Sequence, residues 1–277
     1  VADPEAGIGF RKGHGTENDF VLLPDPDGAL ELTESRVRAL CDRHRGLGAD
    51  GVLRVVRGAA AGRPDTEWFM DYRNADGSVA EMCGNGVRVF ARYLVEAGLV
   101  TGEELVVGTR GGPKPVWLRP DGEITVAMGE VRTGPASWAS LGGRRFEGLA
   151  VDVGNPHLAC VTGVAVDGLD LRDAPEFDPG VFPHGVNVEL VNVLDADTVR
   201  MRVYERGVGE TRSCGTGTVA ATAAALLAAG RDAGELEVRL PGGRVRVALS
   251  ADRTATLTGP AVLVAAGELD PDWWRAH

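Results

Sequence analysis

Two cysteines stand at the same place in two similar strings, Cys83 in MCGNGV and Cys214 in SCGTGT. Each is followed by Gly-x-Gly and then by an apolar run of helical length. The glycines let the backbone turn tightly and leave the first N–H groups of such a helix uncovered, and those groups attract an anion together with the helix dipole. The same field favours the thiolate, lowering a thiol from its ordinary pKa of about 8.5. One such cysteine could equally be a packing residue at a helix start. Two of them form a pair of equivalent acid/base groups. Inverting a carbon centre through a planar carbanion needs one group to remove a proton from one face and another to deliver a proton to the opposite face. The two helix mouths would hold a substrate carboxylate and stabilise the charge developing beside it. That chemistry is a racemase's or an epimerase's, and it demands no cofactor. A non-catalytic carboxylate-binding protein and a thiol redox protein are the other classes that could use the same pair.

The elements that position these cysteines repeat as well. An offset of 131 residues carries Cys83 to Cys214, Gly84 to Gly215, Gly86 to Gly217, Gly111 to Gly242 and Gly112 to Gly243. Between these points each half reads as an apolar helix, a closing glycine (Gly98, Gly230), an alternating strand and a Gly-Gly turn. In the first helix Val87, Phe90, Ala91 and Leu94 recur at helical spacing while Arg88 and Arg92 share another face, so one polar stripe is expected. In the second nearly every position is small or apolar, as in a helix wrapped by a sheet. ELEVRL and RVRVAL alternate about PGG, a hairpin pattern, and GVLRVV, EWFMDY, EITVAM, LAVDVG, VNVELVNV and TVRMRVYE read as strands. The chain is thus expected to be strand-rich α/β, in two similar halves.

Composition narrows the partners. The chain of 277 residues has a formal net charge of -11 and no dense Lys/Arg stripe, which argues against nucleic acid and for a small-molecule substrate. No apolar segment is long enough to span a bilayer, so no membrane is expected and a cytoplasmic location is. Cys41, Cys83, Cys160 and Cys214 are widely spaced, and neither they nor the five histidines have the spacing of a zinc site; no metal is expected. Lysine occurs only as Lys12 and Lys114, which disfavours a Schiff-base mechanism, pyridoxal phosphate chemistry included. Cys41 and Cys160 lack the flanking glycines and are read as packing residues, and His157 as a structural hydrogen-bonding one.

Nearly end to end, the chain resembles the diaminopimelate epimerase family, through NDF (18 to 20), RHRGLGADG (43 to 51), NADGS (74 to 78), MCGNG (82 to 86), GNPH (154 to 157), VN (186 to 187), VYERGVGET (203 to 211) and SCGTG (213 to 217). The resemblance implies cofactor-independent epimerisation of LL-2,6-diaminopimelate to the meso isomer, a step toward lysine and peptidoglycan precursors. It makes Cys83 and Cys214 the two bases. Gly84, Asn85, Gly215 and Thr216 would supply helix N-terminal contacts, and Asn18, Asn74, Asn155, Asn187, Glu205 and Arg206 match substrate-binding positions. Arg206 suits a distal carboxylate and Glu205 an ammonium. By residue type alone, Asn74 and Asn155 would be turn residues and Glu205-Arg206 a solvated pair.

The implied fold is two pseudo-symmetric domains, each a curved mixed sheet around a central helix. The first covers 1 to 127 with 258 to 277 returning to it, the second 128 to 257, and a homodimer is implied. A proline racemase-like or other amino-acid isomerase is the same-fold rival. One motif departs from the family: where HGLGNDF is common this chain has HGTENDF, placing Thr16 and Glu17 before Asn18.

Overall fold

Each cysteine-glycine string opens a helix that strands enclose, and the computed structural model describes this for residues 7–277. The chain divides into two compact units, one running to Val126 and resuming at Pro260–His277, the other Ala127–Gly259. The first contains β1 (Ile8–Gly15), β2 (Asn18–Pro24), α1 (Glu34–Cys41), β3 (Gly51–Arg57), β4 (Trp68–Asn74), α2 (Gly84–Glu96), β5 (Glu104–Gly108) and β6 (Lys114–Leu118). The chain passes between units within β7 (Ile124–Glu130). The second holds β8 (Arg132–Leu141), β9 (Arg144–Asp152), β10 (Pro156–Val161), β11 (Glu176–Phe177), β12 (Asn187–Val193), β13 (Thr198–Glu205), β14 (Gly209–Thr211), α3 (Gly215–Ala228), β15 (Gly234–Leu240), β16 (Gly243–Leu249) and β17 (Thr254–Gly259). The last elements, β18 (Val262–Leu269) and α4 (Pro271–Ala276), belong to the first unit.

Strand pairing repeats between the units. In the first, β18, β1, β2, β3, β4, β5, β6 and β7 pair in that order, with the β2–β3 and β4–β5 pairs parallel and the rest antiparallel. In the second, β8, β9, β10, β12, β13, β15, β16 and β17 pair in that order, with β10–β12 and β13–β15 parallel and the rest antiparallel. The crossover that joins the second parallel pair contains the cysteine-capped helix in both, α2 between β4 and β5 and α3 between β13 and β15. A parallel pair requires a long crossover connection, and in these two the apolar helix after the cysteine supplies it.

The helices are buried for different reasons of composition. In α3 the run of alanines lets strands approach closely, and it packs on β9, β10, β12, β13, β15, β16 and β17 with Val219 and Leu226 almost fully enclosed. Alanine is also the strongest helix former. Around α2, packed on β1, β2, β3, β4 and β18, the polar stripe of Arg88 and Arg92 bonds to neighbouring segments. Arg88 is fully buried, its Nε donating to the Pro260 carbonyl (3.2 Å) and Nη2 to Thr16 Oγ1 (3.3 Å), while Arg92 donates to the carbonyls of Ala261 (3.3 Å) and Gly122. Pro260 and Ala261, which supply two of these acceptors, open the segment that returns to the first unit. Gly98, at φ 66°, closes α2 just past its C-cap, and Gly230, at φ 71°, follows α3. No helix among the described residues is long and apolar enough to cross a membrane.

Candidate active site

Both cysteines are N-caps. Cys83 (φ -141°, ψ 118°) and Cys214 (φ -125°, ψ 114°) are extended, and each Sγ accepts from the N–H three residues on, Gly86 and Gly217, at 3.4 Å. A cap acceptor satisfies one of the four N–H groups that a helix start leaves over. Glycine allows the close approach. A methyl group at Gly217 would lie 3.3 Å from Cys214 Sγ and 2.8 Å from Glu189 Oε1.

Around Cys83, the first unit brings Asn18, Asn85 and Asp50 together. Asn18 opens β2, and its Oδ1 accepts from Cys83 Sγ (3.6 Å) and from Asn85 Nδ2 (3.2 Å). Its own Nδ2 donates to Asp50 Oδ2 (2.8 Å), which also accepts from the Asp19 N–H (3.1 Å). Arg43 Nη2 spans Asp50 Oδ1 and Asp19 Oδ1, each at 2.8 Å, and Lys12 Nζ reaches Asp19 Oδ2 (2.5 Å) and the Gly48 carbonyl. Burial pushes Asp19 up, but the bonds from Arg43 and Lys12 outweigh it and hold the carboxyl at about 2. The motif RHRGLGADG therefore builds the scaffold that orients Asn18. Asn74 ends β4 beside this group, opposite Gly51, with its Nδ2 donating to Ser78 Oγ (3.0 Å). Gly84 and Asn85 form the first turn of α2 and are buried.

The departure HGTENDF has a local explanation. Thr16 (φ 51°) and Glu17 (φ 62°) are the two residues between β1 and β2, both left-handed, as a type I′ hairpin turn requires. Thr16 is buried and takes the bond from Arg88, and the Glu17 N–H donates to His14 Nδ1 (3.3 Å).

Around Cys214, the second unit assembles a more enclosed group. The parallel pairing of β10 with β12 sets His157 beside Asn187, and Glu189, two residues on, shares the same face of β12. His157 Nδ1 lies 2.6 Å from Glu189 Oε1 with both side chains fully buried, and its Nε2 lies 3.0 Å from Asn155 Oδ1. Asn187 donates to the Pro156 carbonyl (3.2 Å) and accepts from the Arg206 N–H (2.9 Å). Glu205 ends β13 and accepts from Thr211 Oγ1. Arg206 is exposed, and its Nη1 donates to the His184 carbonyl (3.0 Å) across Gly185, where a Cβ would come within 2.8 Å of Arg206 Cδ. Gly215 and Thr216 form the first turn of α3, with Thr216 Oγ1 3.6 Å from Cys214 Sγ.

Burial pushes the Cys214 thiol well up, and the carboxylates of Glu205 and Glu189 push it further in the same direction. Glu189 itself is raised to about 6 by burial, with His157 pulling the other way. Cys41 and Cys160 sit in packed surroundings and are raised to about 12 by burial, which suits inert side chains. Among the described residues no group of three or more His, Cys, Asp or Glu is placed to hold a metal ion.

Asp50, Arg88 and Glu189 carry parts of this arrangement that residue types alone did not single out. Glu189 had a signal: it is the acid in VNVELVNV, where its strand neighbours are apolar on both sides. An acid in a doubly buried strand must find a partner.

Residues 10–134 and 149–264 match the family described as "Diaminopimelate epimerase". Among curated relatives, a "Diaminopimelate epimerase" of Rhodococcus opacus (strain B4) is 59% identical, covering 96% of this chain and 98% of that protein. One of Mycolicibacterium smegmatis is 58% identical over the same shares of the two chains. Solved structures share the fold at low identity. A Bacillus anthracis phenazine biosynthesis protein of the PhzF family has a TM-score of 0.68 at 16% identity over 95% of this chain and 99% of that one. A hydroxyproline epimerase from Agrobacterium vitis has a TM-score of 0.67 at 16% identity over 95% and 93%. Matched over most of its length, and nearly end to end by relatives more than half identical to it, the chain belongs to the diaminopimelate epimerase family.

Proposed function

We propose that this protein epimerises LL-2,6-diaminopimelate to meso-diaminopimelate by a two-base mechanism in which Cys83 and Cys214 act on opposite faces of one Cα, within lysine and peptidoglycan precursor biosynthesis. The observation that carries the reading is the repeated cysteine N-cap, one per unit, in a chain of this family. The S–H bond that breaks and the C–H bond that forms on one face are matched by the reverse exchange on the other, so thiol and thiolate swap places in each turnover. No electron sink beyond the helix mouths is called for. The N–H groups of Gly84, Asn85, Gly215 and Thr216 would face the reacting carboxylate, where they stabilise the enolate-like charge.

One thiol of the pair must start as thiolate and the other as thiol for the proton count to balance. Burial with Glu205 and Glu189 holds the proton on Cys214, which makes Cys83 the thiolate of the ligand-ready pair. A substrate ammonium bound at Glu205 would cancel one of the charges that oppose a Cys214 thiolate, easing the transfer of the Cys214 proton to Cα. Asn18, Asn74, Asn155 and Asn187 would complete the polar lining, and Arg206 would grip the distal carboxylate. The working form is read as a homodimer that needs no cofactor and acts in the cytoplasm.

The distal grip gives the test that separates this substrate from the shorter ones of the same fold. Arg206→Ala is expected to raise KM for LL-diaminopimelate at least about tenfold, the worth of a lost charge-assisted hydrogen bond. Proline and hydroxyproline are expected not to be turned over by the wild type. An unchanged KM together with turnover of proline would reject diaminopimelate as the substrate.

A further inference from the structure

The Glu189 carboxylate is fully buried beneath the first turn of α3, and its Oε2 finds no hydrogen-bond partner among the described residues. The ionisable groups that bear on it are His157 and Cys160 on β10, Glu205 on β13 and Cys214 at the mouth of α3. Of these only His157 can carry a positive charge. A buried carboxylate is tolerated where a paired, hydrogen-bonded cation compensates it. The ring of His157 lies between two acceptors, Glu189 Oε1 at 2.6 Å from Nδ1 and Asn155 Oδ1 at 3.0 Å from Nε2. With Asn155 Oδ1 turned to the ring, two acceptors call for two N–H donors, which only the imidazolium has; with the amide reversed, Nδ2 would donate to a bare Nε2.

We propose that Glu189 is a positioning residue for the epimerisation: it holds His157 as a doubly protonated donor, which fixes the Asn155 carbonyl inward and turns the Asn155 NH2 group toward the substrate. This rests on the reading of Asn155 as a substrate-binding residue. The chain of contacts runs from a buried acid that touches no substrate to an amide that does. An amide has two nearly isosteric orientations, one donating and one accepting, and an uncharged ring with a bare Nε2 would select the wrong one. Asn155 sits between β9 and β10, partly exposed, with His157 Nε2 placed to fix that choice. The charge on Glu189 does so through the ring.

The test is nitrogen-15 NMR of the histidine ring at pH 8 on the full chain, with the His157 signals assigned by their loss in His157→Asn, joined to kinetics with LL-diaminopimelate. In the wild type both ring nitrogens of His157 are expected at protonated shifts. In Glu189→Gln, which keeps the shape and removes the charge, Nε2 is expected to become the unprotonated type and KM to rise about tenfold, with kcat changed less, as for lost ground-state binding. An unprotonated Nε2 in the wild type would overturn the proposal without any variant, should Glu189→Gln fail to fold. Asn155→Ala separates the two readings. If it raises KM and Glu189→Gln does not, the positioning role of Glu189 is wrong. If neither variant moves KM while His157 is doubly protonated, the substrate role of Asn155 is what fails.

Discussion

At the residue scale, Cys83 and Cys214 are matched in backbone and unmatched in surroundings. Both accept from the third N–H of their helix, yet Cys83 is half-buried beside a neutral amide and Cys214 is buried near two carboxylates. Because burial and those carboxylates raise the Cys214 thiol, its thiolate appears only above the pH at which an ordinary thiol ionises. In the ligand-free protein, iodoacetamide at pH 8 is therefore expected to alkylate Cys83 first and to leave Cys214, Cys41 and Cys160 largely unmodified, as read by peptide mass spectrometry. Labelling of Cys214 as fast as Cys83 would contradict the environment described. The cysteines themselves were legible because glycine at the second and fourth positions of CGxG marks a tight helix entry. Their electrostatics were not, since Glu189 comes from a different strand and no local pattern ties it to Cys214.

At the element scale the same division holds. GVLRVV, EWFMDY, EITVAM and TVRMRVYE were legible as strands because one or both faces are apolar, and ELEVRL with RVRVAL pairs as the expected hairpin about Pro241 and Gly242. β1 was not, because IGFRKGHG lacks a clean alternation and is held by pairing with β2 and with β18, the returning strand that the resemblance implied. The two arginines of α2 were legible as sharing a face, but their partners were not, because a 3.6-residue pattern does not say whether a face meets water or backbone carbonyls. The β1–β2 turn supplies a stability test. Glu17 is left-handed without being glycine, a conformation that costs a side-chain-bearing residue about 1 kcal/mol. Glu17→Gly is expected to raise the urea midpoint by an amount equivalent to a gain of up to that size, at unchanged slope. A lowered midpoint would mean that the Glu17 side chain contributes more than its backbone costs.

At the scale of the whole molecule, the repeat first seen as five matches at one offset is a repeat of strand order, with the same two parallel pairs at the same places in each unit. The matches fall on Cys and Gly because those positions are fixed by backbone geometry, whereas core positions tolerate exchange among apolar residues. What the offset could not reveal is that β18, at the far end of the chain, fills in the first unit the place that β8 fills in the second. Two like units, each with one capped thiol, are what a reaction with two mirror-related proton transfers needs. The direct measurement is Cα deuterium incorporation from heavy water into LL-diaminopimelate, followed by NMR with wild type, Cys83→Ala and Cys214→Ala. The wild type should form the meso isomer with solvent deuterium at the inverted carbon, and each variant should lose epimerisation by at least about 100-fold, the usual worth of one acid/base group. Either variant forming the meso isomer at close to the wild-type rate would contradict the two-base mechanism.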